Sequence, residues 1–184
     1  MAATYNNLYL DARKRLREAG VEGAQLEARE LVCCAAGKSR EQFYRDMALY
    51  ASDPVEEKLA ELLERRLAGE PVAYLIGEWE FYGLGLDITP DVLIPRMDTE
   101  VLAERAILLA RAAGEGARVL DLCAGSGCVG LAVAANVPGC RVVLADVSEA
   151  ALRLCKQNVR RNELNARVTC LSVDAMEPCL LYTS

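Results

Sequence analysis

The stretch RVLDLCAGSGCVGLAVAANV, residues 118–137, constrains the fold more than any other part of the chain. An apolar run that suits a buried strand is followed at once by Gly125, Gly127 and Gly130, and then by a helical pattern. Strand, glycine turn and helix in that order open a doubly wound sheet, in which backbone N–H groups and a helix N-terminus face a ligand. Glycine suits the turn because a Cβ would hold the ligand off, and because tight turns often require positive φ. The pattern continues downstream: CRVVLADV predicts a second strand, SEAALRLCKQNVRRNEL a second helix and ARVTCLSVD a third strand. Apolar runs alternating with helical patterns mean a parallel sheet with crossover helices.

Upstream the periodicity differs. YLDARKRLREAG, AQLEARELVCCAAG and PVEEKLAELLERRLAG place apolar residues three and four apart and end at Gly20, Gly37 and Gly69, which predicts a small helical bundle. Ser39 with Gln42 three residues on reads as a capping box, and Ser52-Asp53-Pro54 as an N-cap with a first-turn proline. EWEFYGLGLDIT suits two short strands joined by a tight turn around Gly83 and Gly85. The following helix is expected to be capped by Asp98 or Thr99 and closed by Gly114. The expected organisation is a helical domain over 1–70, a hairpin connector over 71–97 and part of an α/β domain over 98–184.

Composition removes several function classes. The chain has no histidine, so Ser-His-Asp and Cys-His nucleophile systems cannot be built within it. Its eight cysteines include no C-x-x-C pair; a Cys/His zinc site is excluded, no metal site is expected, and the cysteines read as reduced, buried small hydrophobes. Residues 1–113 carry 14 Lys/Arg against 20 Asp/Glu, whereas 114–184 carry 7 of each. That sign is wrong for displacing counterions from nucleic-acid phosphates, so a protein or small-molecule partner is expected. No apolar run approaches the ~18 residues of a membrane span, and the N-terminal residues lack the pattern of a signal peptide, which makes the cytoplasm the expected location.

Asp121 decides which ligand suits the loop. A dinucleotide would bring about two negative charges of pyrophosphate against this turn, and a carboxylate four residues before Gly125 would repel them. S-adenosylmethionine offers a sulfonium and an ammonium, which the same carboxylate attracts. Asp121 as a helix cap is the competing reading. Asp146, 21 residues after Gly125, closes the second strand where an acid can accept hydrogen bonds from ribose hydroxyls, with an N-cap near Ser148 as its alternative. Asp174, expected to end the third strand, is placed where an adenine amino group would come.

With these residues in place, the chain resembles the release-factor glutamine methyltransferases, which methylate the side-chain amide of a glutamine in peptide chain release factors. GEPVAYLIGEWEFYGLGLDITPDVLIPRMDTEVLAE is similar to the family's connector, VLDLCAGSGCVGLAVA to its S-adenosylmethionine loop and VVLADVSEAALRLCKQNVRRN to its ribose-binding region. The resemblance implies a helical release-factor-binding module, a hairpin and the first half of a Rossmann-like class I methyltransferase sheet. It assigns cofactor contacts to Cys123, Ala124, Gly125, Ser126 and Gly127, with Asp121 before them, Asp146 on the ribose, and Asp174 with Ala175 on the adenine. The family usually has glycine where Cys123 stands and proline where Met97 stands.

The family's catalytic signature, Asn-Pro-Pro-Tyr, does not occur in the 184 residues, so no catalytic residue is assigned. The chain is therefore expected to be a fragment, or a misread end, of a longer gene, with no turnover of its own and with one edge of the Asp121 strand unpaired. A non-catalytic binding module and a nucleic-acid base amino-methyltransferase are the alternative functions, and a nicotinamide oxidoreductase ranks behind them because of Asp121.

Overall fold

The computed structural model describes residues 3–176. The chain divides into two compact units, the first ending at Ile76 and the second beginning at Gly77.

The first unit is helical: α1 Tyr5–Glu18, α2 Ala24–Ala36, α3 Arg40–Asp46, α4 Asp53–Leu67 and the short α5 Val72–Ile76. Its helix ends follow local chemistry. Thr4 caps α1 by accepting the Asn7 N–H, and Ser39 with Gln42 forms the expected reciprocal capping box on α3. Ser52 is the N-cap residue of α4, with proline in the first turn, although its side chain makes no capping bond. Gly37 closes α2 in the left-handed conformation. Leu16, Leu31, Leu63 and Phe43, from four different helices, are almost fully buried. Each such side chain contributes about 1.5–3 kcal/mol of burial. Around this core, Arg66 grips Glu27 through two hydrogen bonds of 2.6 and 3.2 Å.

Asp46, at the end of α3, accepts hydrogen bonds from Arg45 (2.9 Å) and Lys38 (2.8 Å). These bonds, Arg45's first and Lys38's second, hold its carboxyl below the usual 3.8, at about 2. As pH falls, the unfolded chain takes up this proton before the folded one does. The stability from Asp46 is thus fully present above the ordinary carboxylate range and lost as pH falls toward about 2. An Asp46→Asn variant is expected to show a shallower fall of the urea midpoint between pH 4 and pH 2 than the wild type; equal slopes by circular dichroism would remove this assignment.

The second unit begins with an antiparallel hairpin, β1 Glu78–Phe81 and β2 Leu84–Asp87. Its two-residue turn, Tyr82-Gly83, has φ of 50° and 77°, the mirror-image turn that matches strand twist. The helix α6 runs over Met97–Ala113, with Arg96 as the N-cap residue and no side-chain capping bond. Asp98 and Thr99 therefore lie in its first turn rather than at its cap. Met97 is the first helical residue, where proline fits well because that N–H has no intrahelical partner.

There follow β3 Arg118–Leu122, α7 Cys128–Asn136, β4 Arg141–Asp146, α8 Glu149–Arg161 and β5 Val168–Ser172. The three strands are parallel in the order β3-β4-β5. Register brings Leu122 beside Ala145 and Asp146 beside Ser172, so the carboxyl ends of all three strands lie along one edge. Among the described residues β3 is an outer strand, and its Leu120 and Leu122 are exposed. The core lies between the sheet and α7, where Leu131, Val133, Val142 and Leu144 are almost fully buried.

Candidate nucleoside-binding site

The loop from Cys123 to Gly127 joins β3 to α7 at the carboxyl edge of the sheet, the place where open α/β sheets bind their ligands. Its backbone is tied down at successive positions. The Ala124 N–H donates to the Ala145 carbonyl (3.0 Å), and the Gly125 N–H to Asp146 Oδ2 (2.9 Å). The Gly125 carbonyl accepts from the Cys155 thiol (3.2 Å), and the Ser126 carbonyl from Asn158 Nδ2 (3.0 Å). The Gly127 N–H closes a turn onto the Ala124 carbonyl (2.7 Å).

The three glycines have different reasons. Gly125, at φ +56°, has nothing within 4 Å of where a Cβ would stand, so its face is open. Gly127, at φ +80°, would put a Cβ 2.8 Å from Leu144 Cδ1. Gly130 is a packing glycine inside α7: a Cβ would overlap Leu144 Cδ2 and lie 3.0 Å from Val142 Cγ1 and 3.1 Å from Asp121 Oδ2. Both aliphatic neighbours are locked in the core. Gly130→Ala is therefore expected to cost about 1–3 kcal/mol of overpacking. Gly139→Ala, whose nearest neighbour would lie 3.7 Å away, serves as the control; equal urea midpoints for the two variants would contradict this packing role.

Asp121 is the penultimate residue of β3, and its Oδ2 accepts the Gly130 N–H in the first turn of α7 at 2.8 Å. It is thus a long-range cap of α7. Burial raises its pKa, the Gly130 bond opposes that, and repulsion from Asp146 adds to it. Asp146 ends β4 and accepts two backbone N–H groups, from Gly125 on Oδ2 and from Ser148 on Oδ1, each at 2.9 Å. The N-cap of α8 is Ser148 itself, which accepts from Ala151 N–H. Asp174 lies two residues beyond the end of β5, with Ala175 next to it; both are exposed, and Asp174 accepts the Met176 N–H at 2.8 Å. Within the loop, Ala124 and Ser126 are buried while Cys123 is exposed. Cys123 sits at φ +57°, a left-handed conformation that glycine adopts without cost.

One residue of the site escaped the sequence. Asn158 on α8 is completely buried. Its Oδ1 accepts the Asp87 N–H (2.6 Å), and its Nδ2 donates to the Asp87 carbonyl (3.1 Å) and to the Ser126 carbonyl (3.0 Å). A single amide thereby ties the hairpin, α8 and the glycine loop together. Asn162 Nδ2 donates to the Gly85 carbonyl at 3.0 Å, and Arg161 pairs with Glu78 (2.6 Å) and with Asp87. The signal was the run of polar residues at helical spacing, Asn158 and Asn162, in a helix whose other inward positions are apolar. Read from sequence alone, such residues are indistinguishable from a solvated face.

Parallel strands, a glycine loop after the first and an acid closing the second make this unit a Rossmann-like α/β domain of the class I methyltransferase type. The family described as Methyltransferase small domain matches residues 85–179, and that described as PrmC N-terminal domain matches residues 7–77. The chain is 45% identical to a release factor glutamine methyltransferase of Bordetella pertussis over 159 residues, covering 83% of this chain and 56% of that protein. It is 39% identical to that of Geobacter sulfurreducens over 166 residues, covering 90% of this chain and 57% of that protein. A solved S-adenosylmethionine-dependent methyltransferase from Agrobacterium tumefaciens is similar at 23% identity with a TM-score of 0.46, over 54% of this chain and 33% of that one. The chain belongs to the release factor glutamine methyltransferase family. It spans a little over half the length of these two curated relatives.

Proposed function

We propose that this chain is the cofactor-binding and substrate-docking portion of an S-adenosylmethionine-dependent methyltransferase that modifies the side-chain amide of a glutamine in peptide chain release factors. The observation that carries this reading is the pair of carboxylates, Asp121 and Asp146, flanking an open glycine loop at the carboxyl edge of the sheet. Asp121, whose proton affinity is raised by burial and secondarily by the nearby Asp146 carboxylate, favours a cationic ligand and opposes a pyrophosphate. S-adenosylmethionine fits that charge: its sulfonium and ammonium meet the acids, and its ribose hydroxyls can donate to Asp146, whose oxygens keep lone pairs beyond those used by Gly125 and Ser148.

When bound, the cofactor supplies an electrophilic methyl group. The chain's own residues hold and orient it: Asp121 opposes the positive charge, Asp146 takes the ribose, the backbone of Cys123, Ala124, Gly125, Ser126 and Gly127 forms the cradle, and Asp174 with Ala175 lies toward the adenine. In this reading residues 1–70 dock the release factor, 71–97 connect, and 98–184 hold the cofactor. Orienting the glutamine amide, a poor nucleophile, falls to the family's Asn-Pro-Pro-Tyr segment, which these 184 residues do not contain. No helix among the described residues is long and apolar enough to cross a membrane, and we place the protein in the cytoplasm with its release-factor substrate, without direct nucleic-acid contact.

Titration calorimetry with S-adenosylmethionine and, separately, with NADH tests the cofactor reading. Heat is expected with the sulfonium ligand alone; heat with NADH alone would overturn the proposal.

A further inference from the structure

A groove along α8 shares no residue with the cofactor contacts. It lies wholly within the second unit, between α8 and the turn that follows β2, and has a volume of about 460 Å³. That size falls within the range of about 300–1,000 Å³ typical of ligand clefts. The turn that walls it is pinned in place. Asn158 holds Asp87, the last residue of β2, by both its N–H and its carbonyl. Just beyond, the Val92 N–H donates to the Thr89 carbonyl and the Thr89 hydroxyl to Asp91 Oδ2, each at 3.2 Å. On the helix side, Ala150 and the buried Leu154 give the groove an apolar lining.

Three cations line the same groove. Arg153, Lys156 and Arg160 are spaced three and four apart, which sets them along one face of α8 over about 10 Å. All three are exposed. Arg153 reaches Glu149 at 3.8 Å, whereas among the described residues no carboxylate pairs with Lys156 or Arg160. This positive row stands on a chain whose net charge is −6, so it selects an anion that fits the groove and does not extend over the acidic remainder. Carboxylates suit it, since arginine binds them bidentately and lysine as a point charge. Gln157, which also lines the groove, carries donors and an acceptor on one amide and can pair with both polar groups of a peptide unit. A phosphodiester backbone would offer acceptors alone. Side chains on one side of an extended peptide stand about 6.6 Å apart, close to the rise of about 6 Å between Lys156 and Arg160.

We propose that the groove between α8 and the Thr89–Asp91 turn is a docking site for an extended acidic segment of a protein partner, with Lys156 and Arg160 holding carboxylates two residues apart and Arg153 extending the row. Asp91, the acid among the groove's described lining residues, opposes each anion that enters and so limits how much negative charge the site accepts. Attraction of this kind between exposed groups is screened by salt. The site is separate from the nucleoside loop, so peptide binding and cofactor binding hold or fail independently.

Fluorescence anisotropy of a fluorescein-labelled hexaglutamate peptide, titrated with the 184-residue chain at low salt, tests the site. Binding is expected for hexaglutamate and not for hexaglutamine. The double variant Lys156→Gln with Arg160→Gln is expected to weaken it about fivefold, the worth of two exposed ion pairs. Arg118→Gln with Arg141→Gln removes the same charge from residues outside the groove and is expected to leave affinity unchanged. Asp91→Asn is expected to tighten binding about twofold, since one opposing charge is gone. In the wild-type chain, which needs no variant to fold, the peptide is expected to shift the backbone NMR signals of Asp91 and of 153–160. Absence of hexaglutamate binding, equal weakening by the two double variants, or shifts confined to other residues would overturn the proposal. Tighter binding of a thymidine oligonucleotide of equal charge would also overturn it, by assigning the groove to nucleic acid.

Discussion

Asn158→Ala is expected to destabilise the second unit by about 3 kcal/mol, since truncation strands three backbone groups, one buried and two part-buried, and each unsatisfied group costs ~1–3 kcal/mol, with water entering the gap to recover part of that loss. The stranded groups are the Asp87 N–H, the Asp87 carbonyl and the Ser126 carbonyl. The effect reaches two places. The hairpin loses the amide that holds β2 to α8, while the bonds from Asn162 and Arg161 persist. The glycine loop loses the donor that holds Ser126. Asn158→Asp separates the two halves of the role: it keeps an acceptor for the Asp87 N–H and removes both donors while burying a charge, so it is expected to be at least as damaging as alanine. Urea unfolding followed through Trp79 on β1 reads the hairpin directly. An alanine variant within ~0.5 kcal/mol of wild type would show that Asn158 is not the clamp described here.

The second large effect falls on the ligand. Asp146→Ala is expected to weaken S-adenosylmethionine binding by about 100-fold, because bonds to a charged acceptor contribute roughly 1.5–3 kcal/mol each and two ribose hydroxyls donate. The same substitution frees the N–H groups of Gly125 and Ser148, so part of the loss comes from a loosened loop. Asp146→Asn helps to apportion the two, since one amide oxygen can still accept from a single backbone N–H. Calorimetry should rank the proteins wild type, asparagine, alanine. If the alanine variant binds as tightly as wild type, Asp146 does not contact the ribose.

Local pattern made much of this protein legible. Helix ends in the first unit obey short-range rules, as the reciprocal bonds of Ser39 and Gln42 show. The strands containing Asp121 and Asp146 could be read because each is an apolar run beside a turn signal, and a parallel sheet follows from their alternation with helices. Boundaries were less legible. Asp98 and Thr99 look like caps by residue type, yet the helix already begins at Met97. Asp174 looks like the end of a strand, yet pairing with β4 ends at Ser172.

Residue type and spacing, which act over a few positions, thus determined that the chain has a helical module followed by a strand-and-glycine-loop unit, and which acids could face a ligand. They could not separate the three glycines. Only packing shows that Gly125 is open, that Gly127 lies against Leu144, and that Gly130 is required by the approach of α7 to β4. Nor could they reveal that Asn158 holds residues 71 and 32 positions away in sequence. Those contacts exist because the crossover connections lay α8 against the sheet. A polar or small side chain on that helix acquires its role from what the fold brings opposite to it.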